Sequence, residues 1–84
     1  MSEQFSHLLP GTIDQLRSAV SEFSGEGSLM SFSKDDRKQW IENVLEVVDY
    51  DRLAREDKGA VRQFIQNETG YSRAQSTRLI QASL

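Results

Sequence analysis

The sequence predicts an all-α fold, a small four-helix domain with a C-terminal helix-turn-helix. Three observations carry that prediction. Apolar residues recur at helical intervals in several windows, and no strand-like alternation is sustained anywhere. Proline occurs once, at Pro10. Ser or Thr stands just ahead of these apolar stripes, with Gln or Asp three residues on, which is the spacing of a helix N-terminus.

Residues 1–11 contain Leu8 and Leu9 but no period, and Pro10-Gly11 breaks the stretch, so it reads as a flexible N-terminal tail ahead of a helical domain over 12–84. Thr12 and Gln15 form a capping box, and Ile13, Leu16, Val20 and Phe23 fall on one face of the helix that follows. Ser24-Gly25-Glu26-Gly27-Ser28 ends this helix and reads as a flexible connection. The second helix starts at Ser33, with Asp35 and Asp36 at the positive end of its dipole. Its broad stripe of Trp40, Ile41, Val44, Leu45, Val47 and Val48 should carry the core, and Asp49-Tyr50-Asp51 should close it.

The third helix should run from about Arg55 to Glu68, with Glu56 and Asp57 at its start and Ala60, Val61, Phe64 and Ile65 on its buried side. Gly70 stops it by supplying the left-handed conformation common at helix C-termini. Ser72 and Gln75 make a second capping box, and the last helix runs from Arg73. Two helices joined by so short a Gly-containing turn have the helix-turn-helix layout, here over about 55–84. The predicted core is Trp40, Val44, Val48, Val61, Phe64, Ile65 and Leu79.

Composition narrows the function. The 84 residues make one domain. Leu, Ile, Val and Phe supply 21 of them, enough to favour a folded chain over a disordered one. There is no cysteine, so disulfide frameworks, thiol catalysis and cysteine-based zinc sites are excluded. No apolar run approaches the length of a spanning helix and no signal peptide is present, which predicts a soluble cytoplasmic protein without membrane association. The net charge of −3 divides unevenly. Residues 1–57 carry six basic and twelve acidic side chains, whereas 58–84 carry Lys58, Arg62, Arg73 and Arg78 against Glu68 alone. Such asymmetry points to a basic working surface.

At about 100° per residue, the final helix places Leu79 and Ile80 on one face with Ser76 and Ser83. Ala74, Thr77, Arg78 and Gln81 fall opposite, with Arg73 on the flank. Arg can grip guanine in a bidentate pair and Gln can do so with adenine, while Ser, Thr and helix N-terminal N–H groups suit phosphate oxygens. The same residue types also make an ordinary solvated helix face. Ser76 and Ser83 sit where the buried face wants hydrophobes.

An enzyme is not indicated. Asp35, Asp36, Glu56 and Asp57 all lie at helix starts, where capping and dipole effects account for them. The lone histidine, His7, has neither ligand partners nor a nucleophile around it, and no glycine pattern follows a strand to cradle phosphate. No cofactor, metal or small-molecule substrate is called for.

The strings SKDDRKQWIENVLEVVDYDRL and DKGAVRQFIQNETGYSRAQSTRLI, within residues 33–80, resemble the N-terminal region of bacterial transposases and integrases that carry a retroviral-integrase-type catalytic core. The more specific part is Lys58-Gly59, Thr69-Gly70-Tyr71-Ser72-Arg73 and Thr77-Arg78-Leu79-Ile80. The resemblance implies a helical segment that recognises the ends of a mobile element, with Arg73, Thr77 and Arg78 the foremost DNA contacts. Ser76 departs from the Val or Leu of that pattern. The catalytic core with its acidic triad has no counterpart here, so strand transfer is not implied and the chain is expected to be a truncated product or an excised piece.

Residues and resemblance together predict binding of double-stranded DNA by the final helix. Ser72, Arg73, Thr77, Arg78 and Gln81 would make the contacts, with Lys58 and Arg62 on phosphates. The alternative is a helical protein-interaction module. Its acidic first helices and a groove or dimer seam around Trp40 would pair with a second copy or with a full-length transposase.

Overall fold

A computed structural model describes residues 9–23, 25, 27, 29 and 32–84. Over these the chain is all-helical: α1 (Ile13–Ser21), α2 (Lys34–Val48), α3 (Arg55–Thr69) and α4 (Arg73–Ser83), with one 3-10 turn over Tyr50–Arg52. Helix α1 packs chiefly on α3, and α4 packs on both α2 and α3.

The helix starts follow the capping chemistry. Thr12, Ser33 and Ser72 each accept, on the side-chain oxygen, the backbone N–H three residues on, at 3.2, 3.1 and 3.2 Å. The Gln15 side chain reaches back one residue further than a reciprocal box requires, taking the Gly11 N–H at 2.6 Å. That contact corrects the tail at its inner end: Pro10 is buried and Leu9 packs against the core. The rest of the tail, His7 included, lies outside the described residues. Helix α3 is preceded by Ala54, whose side chain offers no cap, and Arg17 of α1 pairs with Asp57 in the first turn of α3 at 3.0 Å.

Helix ends explain the turns. Asp49 closes α2 in the left-handed region (φ 58°), and Gly70 closes α3 there (φ 78°). The connection between α1 and α2 is not simply loose. Leu29 is fully buried, its N–H donates to the Glu68 carbonyl at 3.0 Å, and its own carbonyl accepts from Arg37 Nε at 2.9 Å. A Cβ on Gly27 would collide with the Asn67 and Glu68 carbonyl oxygens, so glycine permits this approach to the end of α3. Ser24, Glu26 and Ser28 lie outside the described residues.

The core unites Leu16, Leu29, Trp40, Ile41, Val44, Leu45, Val48, Val61, Phe64, Ile65 and Ile80. Trp40 and Phe64 meet at 5.5 Å between ring centroids. Burying a side chain of this class contributes about 1.5–3 kcal/mol. Three expectations are corrected. Leu79 is only half-buried, because α4 turns Ile80 and Ser76 into the crevice between α2 and α3 and leaves Leu79 on its α2 edge. Val47 is 43% exposed, since it lies on the side of α2 away from its helical neighbours. Trp40 is 0% exposed and cannot form a groove or dimer seam on the surface.

Candidate nucleic-acid interface

Gly70, Tyr71 and Ser72 separate α3 from α4 and are held from several sides. The Thr69 hydroxyl, buried, donates to the Ile65 carbonyl at 2.6 Å and accepts the Tyr71 N–H at 3.3 Å. The Gly70 N–H donates to the Gln66 carbonyl at 2.9 Å. The Arg37 guanidinium lies 5.4 Å from the centre of the Tyr71 ring. Helix α4 therefore leaves a turn fixed both by α3 and by α2.

The predicted residues divide into three places. Ser72 and Arg73 are exposed at the start of α4, with the Ser72 hydroxyl engaged as cap. Arg78 and Gln81 are exposed on its outer side with Ala74 and Ala82, small residues that let a ligand approach the helix closely. Thr77 is half-buried on the α3 edge, where it lines a shallow hollow with Arg62, Gln81 and Tyr50. Lys58 stands apart from α4: its ammonium lies 5.4 Å from the centre of the Tyr50 ring, a cation–π contact. The structure thus brings Arg62, Thr77 and Gln81 together, joins Lys58 to them through Tyr50, and leaves Arg73 at the far end.

The opposite edge of α4 holds residues that helical spacing within single segments does not reveal. Gln75, Leu79 and Tyr71 line a hollow with Lys34, Asp35 and Lys38 from the start of α2. At the other end, Ser83 and Leu84 line a groove with Glu42, Leu45, Glu46 and Asp49. The two helices therefore run in the same direction, and the α2 surface beside α4 changes from basic at its start to acidic at its end. No charge pattern within α4 predicts this, since it depends on how α2 lies against α4.

The helix starts differ in charge. Asp14 lies in the first turn of α1, Asp35 and Asp36 in that of α2, and Glu56 and Asp57 in that of α3. In α4 the first turn has no acidic residue and begins with Arg73. A cation there is unfavourable by about 0.3–1 kcal/mol, because it meets the positive end of the helix dipole.

Among the described residues, no group of three or more His, Cys, Asp or Glu side chains is placed to hold a metal ion, and no helix is long and apolar enough to cross a membrane. No family model, curated protein or solved structure matches this chain.

Proposed function

We propose that this chain is a DNA-binding helix-turn-helix module without catalytic activity of its own, in which α4 enters the major groove. The observation that carries this reading is the electrostatics of α4. Its start and outer face bear Arg73, Arg78 and Gln81 with no carboxylate, although a carboxylate in the first turn would stabilise the helix. A local rule broken without a compensating contact is expected where a surface serves a ligand. A polyanion at this face would supply the missing negative charge, and phosphates are favoured at helix N-termini. Arg78 and Gln81 project from the same face as Ala74 and Ala82, so the backbone of α4 can come close to base edges. The resemblance of residues 33–80 to the end-recognition region of transposases points the same way.

The test is fluorescence anisotropy of labelled duplex DNA, titrated at low and at physiological salt with the wild type and with the Arg73→Ala/Arg78→Ala double variant. Both side chains are exposed, so the variant should keep its helical circular dichroism. The expected result is binding that weakens as salt rises and is lost in the double variant. Wild-type protein that fails to bind even at low salt overturns the reading.

A further inference from the structure

Resting on the reading of α4 as a groove-inserted helix, we infer that Lys34 and Lys38 of α2 are phosphate contacts, and that they grip the strand opposite the one held by Arg62 of α3. The ligand is then a duplex straddled from both edges of α4, not a single strand lying along it.

The inference starts from the two hollows that border α4. On one edge Lys34 and Lys38 stand beside Gln75, Leu79 and Tyr71. On the other, Arg62 stands beside Thr77, Gln81 and Tyr50. Arg78 lies between them on the exposed face. Lys34 and Lys38, Arg78 and Arg62 thus form a band that runs across the helix, with Arg73 apart from it at the start of α4. A helix with its side chains is about 10–12 Å across. The major groove of B-DNA is about 12 Å wide, so a helix seated there has a phosphate backbone on each side. Cations at both edges match two backbones, and Glu42, Glu46 and Asp49 confine the contact on the α2 edge to the start of α4.

Both lysines are exposed, on the first two turns of α2. Asp35 lines the same hollow and reduces its positive charge without cancelling it. Phosphate contacts position a protein on DNA without reading sequence. Lys34 and Lys38 should therefore add affinity uniformly, while Arg78 and Gln81 discriminate between bases.

The experiment measures the dependence of binding on salt for a short mixed-sequence duplex and for each of its separated strands. It compares wild type, Lys34→Gln/Lys38→Gln, Arg62→Gln, and the charge-conserving Lys34→Arg/Lys38→Arg. The expected result is duplex binding tighter than single-strand binding. The slope of log K against log salt should fall by about 1 for each lysine lost, and the arginine pair should restore it. Circular dichroism checks that each variant keeps the helix content of the wild type. A slope unchanged in Lys34→Gln/Lys38→Gln, with Arg62→Gln reducing it, overturns the straddling arrangement and leaves α4 as the reader. Equal binding of duplex and single strand overturns it as well. Wild type that binds neither ligand at low salt removes the parent reading, and the inference with it.

Discussion

The backbone N–H of Leu29 donates to the carbonyl of Glu68 at 3.0 Å, tying the segment between α1 and α2 to the last turn of α3. That carbonyl is among the last four of α3, which have no partner within the helix. Its satisfaction fixes the end of α3 just before Gly70 redirects the chain into α4. The side chain of Leu29 is fully buried at the same point, so bond and packing act together.

Gly27→Ala should therefore destabilise the fold by about 1.5–3 kcal/mol, the loss expected if the segment lifts away and Leu29 is exposed. The added Cβ meets backbone carbonyl oxygens, which cannot swing aside as a side chain would. Gly59 makes the contrast. It lies within α3 with open space around its missing Cβ, so Gly59→Ala should stabilise by about 0.5–1 kcal/mol. Urea denaturation of both variants checks the pair. A Gly27→Ala midpoint no lower than that of the wild type would disprove the seating of Gly27.

Ser76→Ala should stabilise the protein by about 1 kcal/mol. Ser76 is 0% exposed and its hydroxyl has no hydrogen-bond partner, so the native residue carries an uncompensated desolvation cost. Alanine keeps the small volume that lets α4 lie in the crevice between α2 and α3. Thermal unfolding is the measurement, and a lower midpoint would mean that the hydroxyl is bonded after all. DNA affinity should be unchanged, because Ser76 points away from Arg78.

Asp49→Gly should raise stability by about 0.5 kcal/mol, less at high salt. Asp49 holds φ at 58°, a conformation that costs a non-glycine residue about 1 kcal/mol, and glycine recovers part of this against a larger loss of chain entropy. Its carboxylate also sits at the negative end of α2. The Arg52 pair, 3.8 Å long and exposed, offsets almost none of that. Asp49→Asn isolates the electrostatic share: its gain should disappear in concentrated salt, whereas the glycine variant should keep its backbone component.

The helices were legible because local chemistry decides them. Thr12, Ser33 and Ser72 cap as their side chains suggest, and Gly70 takes the conformation that ends α3. The faces of α3 were equally legible, with Val61, Phe64 and Ile65 buried at helical intervals. What escaped was decided between segments. Leu29 has no periodic neighbours to mark it as core, and only the end of α3 supplies its partners. Ile80 and Leu79 differ by one position, and the angle at which α4 meets α2 chooses between them. For the candidate interface, sequence placed Arg73, Arg78 and Gln81 on the surface of α4 but could not place Lys34 and Lys38 beside it, since that depends on the parallel alignment of α2 and α4.

That alignment has a consequence for encounter. One edge of the molecule begins with Lys34 and Lys38 and ends with Glu42, Glu46 and Asp49, so its two ends are pulled in opposite senses by any nearby polyanion. The result is a torque that acts before contact, within the roughly 8 Å over which charge is felt at physiological ionic strength. On the proposed DNA-binding reading, a chain with a net charge of −3 would be repelled as a body and yet turned as a lever, start of α2 foremost. Orientation, more than attraction, is then what its charges would contribute to a first collision with DNA.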